Sequence, residues 1–376
     1  MRAAVVGAAA VAVAATAFTA PAQAGTRTDD HSATRRAMEA NVRAGVPGVT
    51  ALARDDKGTW KAATGVGDRT TGAPRGTGDR YRVGSITKTF VATVLLQLEA
   101  EGRLSLDDKV DRWLPGVVRG NGHDGGKITV RQLLNHTSGI YNYTADEGFG
   151  RTYFLHDGFM EHRYDSLAQR DLVRIAMDHR PDFDPGTSWN YSNTNYVLAG
   201  MIIEKITGRP YGDAVRERIV KPLGLRSTTV PGNDTGVPRP SSRAYSKLSD
   251  DPAATEIYDV TELNPSLASS AGEMISTSKD LTRFYTALLR GQLLPKKQLN
   301  EMTTTIEIQP GIGYGLGLMS EKTSCGTEIW GHGGGIHGSS SGAVTTRDGR
   351  HALAYNLNGD WAGDSAAIQE AEFCGK

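Results

Sequence analysis

The segment Ser85-Ile86-Thr87-Lys88 carries the side chains best suited to chemistry in this chain. An apolar run over residues 91–99 follows it and predicts a buried helix that ends at Gly102, with the serine in its first turn. In that turn the hydroxyl lies near unpaired backbone N–H groups and the positive end of the helix dipole. The lysine returns to the same face one turn later, and it can serve as the base for a serine nucleophile if burial lowers its pKa. The alternative is an N-cap serine beside a surface lysine, because the S-x-x-K pattern alone arises by chance.

A tyrosine in an asparagine-rich stretch forms the second candidate element. Tyr191 and Asn193 lie among Asn, Ser and Thr residues, which favour a turn before a helix predicted over residues 195–207. A phenol beside a serine and a lysine can pass a proton between the nucleophile and the leaving group. The alternative is a structural network in which the tyrosine and the asparagines cap the helix.

A histidine followed by glycines forms the third candidate element. His332, Gly333, Gly334 and Gly335 follow Trp330-Gly331 on a predicted strand. Glycines on a strand let another backbone approach closely, so a substrate peptide can add to this edge. A backbone N–H of this strand can also join that of Ser85 in holding an oxyanion. The alternative is a glycine-rich turn beside a core histidine.

The predicted secondary-structure elements that must position these residues differ in type along the chain. Helices and one hairpin are predicted first, then more helices, and finally a series of strands closed by a helix. Thr129 and Ser278 are the predicted N-caps of two of the helices. Strands at both ends with helices between them predict an α/β fold, in which one antiparallel sheet is built from both termini and flanked by helices, with an all-helical insertion. We assign the α/β lobe to about residues 30–90 and 270–376 and the helical lobe to about 91–269, with the site in the cleft between them. The predicted ranges are helices at 30–44, 278–289 and 362–373 and strands at 48–55, 59–66, 314–318, 327–332, 341–346 and 351–358.

The start of the chain and its charge limit the class of protein. Residues 1–24 combine Arg2, an uncharged apolar stretch and Ala22-Gln23-Ala24, which is the pattern of a cleaved signal peptide. We therefore expect a secreted, extracellular and monomeric protein that begins near Gly25 and has no membrane span. The chain has 42 basic and 42 acidic residues without a basic block, which argues against a nucleic-acid partner.

The cysteines and the remaining motifs predict a disulfide but neither a metal nor a cofactor. Cys325 and Cys374 are the only cysteines, and an isolated pair in an exported protein favours a disulfide. Neither has a histidine at metal-ligand spacing. Residues 338–342 match G-x-S-x-G, but a nucleophile elbow needs a following helix and a strand is predicted there. Residues 333–338 match G-x-G-x-x-G, but they precede no helix, as a dinucleotide site requires.

Taken in order, the serine–lysine, tyrosine–asparagine and histidine–glycine elements resemble those of the penicillin-recognising serine hydrolases. This family includes the class C β-lactamases and the D-alanyl-D-alanine carboxypeptidases, and the likeness is greatest to the secreted DD-peptidases of Streptomyces. The resemblance covers nearly the whole chain after the signal peptide, which is therefore assigned to one β-lactamase-like domain over residues 25–376. Further stretches that carry the resemblance are residues 130–139, 191–195, 221–225, 270–272, 314–318 and 373–375.

The resemblance implies an acyl-enzyme mechanism. Ser85 attacks an amide carbonyl, while Lys88 and Tyr191 take its proton and pass one to the leaving amine. Which of these two is the main base stays open, because they titrate as a coupled pair. The N–H groups of Ser85 and Gly335 form the oxyanion hole. The implied substrate-binding residues are Asn193, which holds the acyl-side amide, together with His332 and Gly334.

The third element departs from the family pattern where the family binds a substrate's terminal carboxylate. The family carries hydroxyl residues at the positions of Gly333 and Gly335 and an arginine at that of Met319. A carboxylate here finds fewer donors, with Lys322 as an alternative cation, and a poorly paired charge is costly. We expect a carboxypeptidase-like serine hydrolase for peptidoglycan-type or other D-amino-acid peptides that also binds β-lactams. The alternatives with relaxed carboxylate recognition are a D-stereospecific endopeptidase or aminopeptidase, a peptide cyclase and an esterase. A class C-like β-lactamase and a non-catalytic β-lactam or cell-wall sensor also stay open.

Overall fold

A computed structural model describes residues 31–375 of the chain. The predicted signal peptide and the start near Gly25 lie outside the described residues, so secretion stays a prediction. No helix within residues 31–375 combines the length and the apolar character needed to cross a membrane.

An antiparallel sheet of eight strands, built from both ends of the chain, forms the centre of the fold. Its order is β2-β1-β14-β13-β12-β11-β10-β9, so the amino-terminal hairpin pairs with the last strand through Val49 and Leu357. The predicted antiparallel sheet from both termini is therefore confirmed. The strands of this sheet are β1 (Gly48–Asp55), β2 (Gly58–Gly65), β9 (Ile306–Gln309), β10 (Ile312–Tyr314), β11 (Met319–Lys322), β12 (Glu328–Ile336), β13 (Ser339–Thr346) and β14 (Ala352–Leu357).

Short strand pairs lie outside the main sheet, and the remaining regular structure is helical. The short strands are β3 (Tyr81–Arg82), β4 (Arg119–Gly120), β5 (His123–Asp124), β6 (Tyr245–Ser246), β7 (Tyr258–Asp259) and β8 (Ile275–Ser276). The helices are α1 (Ser32–Arg43), α2 (Thr87–Ala100), α3 (Val110–Trp113), α4 (Val130–Leu134), α5 (Glu147–Tyr153), α6 (His156–His162), α7 (Gln169–Met177), α8 (Asn193–Thr207), α9 (Tyr211–Val215), α10 (Lys221–Leu223), α11 (Ser278–Leu289), α12 (Lys296–Met302) and α13 (Ser365–Cys374).

Helices cover both faces of the sheet. On one face α1 and α13 pack together, and Met38 and Ile368 join Ile329 and Leu353 of the strands in one apolar core. On the other face lies a larger core that contains α2, α8 and α11. Helix α2 is apolar on nearly every side, which is the pattern of a helix buried all round.

Most predicted elements lie where the sequence placed them, and two details are wrong. Residues 314–318 do not form a strand, because Gly315 N–H donates to Leu318 O and closes a turn between β10 and β11. The N-cap of α11 is Thr277 instead of Ser278, since the Thr277 hydroxyl accepts the Asp280 N–H. The Thr129 cap is confirmed and forms a reciprocal capping box with Gln132.

The predicted disulfide is confirmed. Cys325 and Cys374 are bonded, which ties the end of α13 to the turn between β11 and β12. The bridge lies at the end of β12 remote from the glycines of the third element, so it acts on the scaffold.

Candidate active site

The predicted nucleophile and its lysine meet at the start of the buried helix. Ser85 lies in a 3₁₀ turn, Gly84–Ile86, that leads directly into α2, and Lys88 follows in the first turn of α2. The Lys88 ammonium nitrogen Nζ lies 2.9 Å from Ser85 Oγ, 2.7 Å from Asn193 Oδ1 and 2.7 Å from the Ala271 carbonyl oxygen. The lysine side chain is fully buried and has no carboxylate partner among these contacts.

Burial favours the neutral form of Lys88. Burial lowers the pKa of Lys88 well below its ordinary value, because the charged amine loses its hydration. The amide oxygen of Asn193 and the carbonyl of Ala271 only accept, so they take the two N–H bonds of a neutral amine. The remaining lone pair then faces Ser85 Oγ, which can donate its proton to it. The arrangement therefore suits proton removal from the serine by the lysine.

Tyr191 and Asn193 reach the same point from the start of α8. The Lys88 Nζ lies 4.8 Å from the centroid of the Tyr191 ring, and the Tyr191 hydroxyl lies close enough to Ser85 for the serine to influence its pKa. Burial raises the pKa of the Tyr191 phenol, so this hydroxyl keeps its proton at neutral pH. Asn193 is held through its side-chain amide, which donates to Thr144 Oγ1 at 3.1 Å. The predicted phenol and amide are thus both beside the nucleophile.

At the predicted oxyanion hole, two backbone segments pack more closely than residues other than glycine permit. Gly84 has φ +54°, and a Cβ added to it meets the backbone nitrogen and oxygen of Gly335 at 2.7 Å. A Cβ on Gly334 meets Val83 O at 1.9 Å and Ser85 N at 3.0 Å. Strand β12 and the nucleophile turn are therefore in direct backbone contact. This contact brings Ser85 and Gly335 close together, and their joint role in holding an oxyanion stays a prediction.

Two predicted substrate-binding residues occupy other places than expected. The Cα of Gly334 faces Val83 instead of the cleft, so Gly334 allows close packing and does not line the cavity. His332 is also absent from the cavity wall; its ring is buried and stands 6.4 Å from that of Tyr191, measured between centroids. That His332 and Gly334 bind the substrate stays a prediction. Because alternate residues of a strand face the same way, the His332 side chain and the Cα hydrogens of Gly334 lie on one face of β12.

A directional chain of hydrogen bonds connects His332 to the floor beneath Tyr191. His332 Nδ1 contacts the Gly333 carbonyl, so it carries the proton, and Nε2 accepts from the Tyr314 hydroxyl at 3.0 Å. Tyr314 in turn accepts from His136 Nε2 at 3.1 Å, which leaves His136 Nδ1 to accept from Asn195 Nδ2 and from Ser192 N–H.

Both histidines of this hydrogen-bond network are neutral. Burial lowers the pKa of His332 to about 4 and that of His136 well below its ordinary value. The His136 ring lies 4.3 Å from that of Tyr191, centroid to centroid. A rigid, uncharged floor thus orients the phenol without competing for the serine proton.

A cavity of about 360 Å³ opens beside the nucleophile. Its wall includes Ser85 and Asn193, the end of β12 from Gly335 onward and the loop that carries Ala271. On the other side of Ser85, the outer edge of β12 is unpaired beyond Gly331, because its pairing with β11 stops at Met319. A peptide thus has an open strand edge to join and an adjoining cavity to fill.

Lys322 is far from this edge, which corrects its suggested role as a carboxylate partner. Lys322 pairs with Glu328 at the opposite end of β12 from Gly335. Seven strand residues at about 3.3 Å each place it roughly 23 Å along the strand from the oxyanion position. Met319 lies at the near end of β11 and offers no charge. Neither Met319 nor Lys322 therefore places at this end of β12 the cation of the family pattern.

Comparison with known proteins agrees with this arrangement. The family described as Beta-lactamase matches residues 32–372. The chain belongs to the β-lactamase family.

Solved members of the family and their relatives resemble the chain over nearly its whole length. A D-stereospecific amidohydrolase from Streptomyces sp. is 64% identical with a TM-score of 0.88, and the match covers 92% of this chain and 99% of that one. A D-amino acid amidase from Ochrobactrum anthropi SV3, complexed with L-phenylalanine amide, is 31% identical with a TM-score of 0.76, covering 88% and 92%. Penicillin-binding protein 4* of Bacillus subtilis (strain 168) is 30% identical over 323 residues, which is 82% of this chain and 67% of that protein.

Some groups around the site of this β-lactamase-family chain were not identified from the sequence. The Ala271 carbonyl, which fixes one Lys88 N–H, is a backbone atom and leaves no residue-type signal. His136 lies within residues 130–139, which carry the resemblance but no predicted chemical role. Its backbone is left-handed, φ +62°, a conformation that is uncommon for residues other than glycine.

Proposed function

We propose that this protein is a D-stereospecific amidohydrolase that cleaves the amide bond after a D-amino acid through an acyl-enzyme on Ser85. The observation that carries the proposal is the leaving-group end of the cleft, where Gly333 and Gly335 provide no side-chain donor and Met319 provides no cation. A neutral amide or a continuing peptide fits this end better than a free carboxylate, whose charge would be left poorly paired.

The proton path follows from the contacts of Lys88. The neutral amine accepts the Ser85 proton while Ser85 Oγ forms its bond to the substrate carbonyl carbon. Tyr191 keeps its phenolic proton, so it is suited to deliver a proton to the departing nitrogen, and Lys88 returns the serine proton to the phenol. A water molecule then attacks the acyl-enzyme, and the Ser85 oxygen leaves as the alcohol.

The developing negative charge on the carbonyl oxygen is met by backbone dipoles. The N–H groups of Ser85 and Gly335 stand in a contact that the glycines on both sides hold rigid. Such preorganised donors stabilise the transition state without reorganisation. Asn193 lies on the cavity wall, where its amide can hold the acyl side of the substrate.

The relatives support the choice of substrate class. The relative from Streptomyces is described as a D-stereospecific amidohydrolase and that from Ochrobactrum as a D-amino acid amidase, and both match most of this chain. The name of the Bacillus relative describes penicillin binding. Acylation by β-lactams, carboxypeptidase activity on peptidoglycan-type peptides and export therefore stay predictions for this chain.

The test makes three comparisons with the full chain. The first compares D-phenylalanine amide with L-phenylalanine amide, and the second compares a peptide ending in D-Ala-D-Ala with its C-terminal amide. The third compares the wild-type protein with Ser85→Ala on the D-amide. We expect strong preference for the D-amide, no preference for the free acid, and loss of at least about 10⁴-fold in kcat without the serine. A free-acid preference of orders of magnitude would restore the carboxypeptidase assignment and overturn the proposal.

A further inference from the structure

One carboxylate on the wall of the active-site cavity has no role in the proton path. Asp360 lies in the loop between β14 and α13 and lines the same cavity as Ser85 and Asn193. Its Oδ2 accepts the Gly338 N–H at 2.7 Å. Within residues 31–375 no arginine, lysine or histidine forms an ion pair with it.

The surroundings of Asp360 leave its charge uncompensated but accessible. The residue is exposed to solvent, although its carboxyl group stands in a concave wall whose desolvation raises its pKa. The neighbouring His337 does not neutralise it, because burial lowers the pKa of His337 to about 4 and its Nε2 is engaged with Tyr153 O. A carboxylate that is partly desolvated and unpaired gains most from a cationic partner.

Apolar side chains form part of the wall that Ser85 and Asp360 share. Phe154, Leu267 and Ile336 line the same cavity. An aliphatic stem can pack along these side chains while a charged head group reaches the polar end. The cavity thus matches a methylene chain that carries a terminal charge.

The distance between the predicted oxyanion position and Asp360 also suits a methylene chain of this kind. Gly338, which binds Asp360, is three residues beyond Gly335, so these two backbone positions lie at most about 10 Å apart at roughly 3.3 Å per residue. The hydrogen bond from Gly338 to the carboxylate adds at most 2.7 Å. An extended lysine stem spans roughly 6 Å from Cα to Nζ, with a further bond of about 1.5 Å to the carbonyl carbon. With a hydrogen bond of about 2.8 Å, its reach falls within this limit.

We infer that Asp360 selects acyl donors that carry a primary ammonium at the end of an aliphatic chain, as in a D-lysine residue. The inference rests on the proposed function, because it names the acyl group that the D-amidohydrolase prefers. An ammonium at the amino end of a longer acyl chain has the same chemistry, and the experiment separates the two sources.

The experiment measures kcat/KM for donors that share one p-nitroanilide leaving group. N-acetyl-D-lysine is compared with N-acetyl-D-norleucine, which has a similar stem without the charge, and glycyl-D-norleucine with acetylglycyl-D-norleucine. We expect the D-lysine donor to exceed the norleucine donor about tenfold, as one charge-assisted hydrogen bond provides. If kcat/KM rises only for the glycyl donor, the ammonium belongs to the peptide amino end, and the side-chain assignment is overturned.

Matched variants assign the preference to this residue. Asp360→Asn keeps an acceptor for the Gly338 N–H and should reduce the lysine-to-norleucine ratio to about one. Asp250→Asn removes the same charge from an exposed position outside the cavity wall and should keep the ratio. Equal rates for charged and neutral donors in the wild-type protein, or an unchanged ratio in Asp360→Asn, would overturn the inference. Turnover of the neutral D-norleucine donor, compared with its L form, tests the proposed function separately.

Discussion

At the scale of single residues, the site depends on how the protons of one lysine are shared. Two acceptors that cannot donate, Asn193 Oδ1 and Ala271 O, take two N–H bonds of Lys88 and turn its lone pair toward Ser85. The raised pKa of Tyr191 makes the phenol a proton carrier instead of a competing base. The structure therefore favours Lys88 as the main base, a choice that the sequence left open.

The pH profile of kcat/KM on an uncharged, blocked D-amide should report the Lys88 titration. Because the neutral amine is the active form, activity is present above the Lys88 pKa and is lost as the pH falls through it. Burial places this rising limb well below pH 10.5. Asn193→Asp, which sets a carboxylate against Nζ, should move the limb to higher pH by a unit or more.

A control variant separates this local effect from a change in overall charge. Asn300→Asp adds the same charge on the exposed surface of α12 and should leave the limb in place. If the pH at which kcat/KM rises is the same in Asn193→Asp as in the wild type, another group controls the rate.

At the scale of elements, strand β12 holds the oxyanion hole together through backbone contact with the turn before α2. The third element of the sequence predicted glycines on a strand and a close approach of backbone, which is what the structure contains. It did not indicate which neighbour approaches, since Val83 and Ser85 are remote in sequence and meet β12 only after the sheet has closed. For the same reason it gave no sign of the close packing of Gly334 against Val83.

Alanine substitutions at adjacent glycines of β12 should have opposite outcomes. Gly334→Ala places a Cβ 1.9 Å from Val83 O, so the strand must move away from Ser85, and kcat should fall about 10²–10³-fold through loss of an oxyanion donor. Gly333→Ala meets nothing closer than Ser341 O at 3.8 Å and should keep most of the activity. Steady-state kinetics with a D-amide, beside thermal unfolding of both variants, checks this; equal kcat values would contradict the packing argument.

At the scale of the whole molecule, the two ends of the chain are joined in one sheet, and a disulfide fastens the last helix to it. Strand β14 lies between β1 and β13, so the amino-terminal hairpin pairs only after the whole helical region has been synthesised and folded back. The predicted division into an α/β lobe and a helical lobe, and the predicted monomeric state, stay predictions.

Removal of the disulfide should lower stability without altering catalysis. The bridge closes 49 residues of chain, which restricts the unfolded state and contributes about 4 kcal/mol in the chain-entropy account. Cys325→Ser with Cys374→Ser should therefore unfold at lower urea concentration, with a loss of roughly 2–4 kcal/mol. Its kcat should equal that of the wild type, and a large fall in kcat would mean that the bridge positions the site.

The sequence by itself determined the parts whose signals are local. The serine and the lysine share a helix face, the apolar run of α2 predicts its burial, alternating strands predict the sheet, and the cysteine pair predicts the bridge. Only the tertiary structure decided which backbone carbonyl holds Lys88, which way the side chains of β12 face, and that Asp360 shares a cavity with Ser85. These relations join residues far apart in the chain, and their distances depend on how the sheet and the helices pack, which no local pattern of residue types encodes.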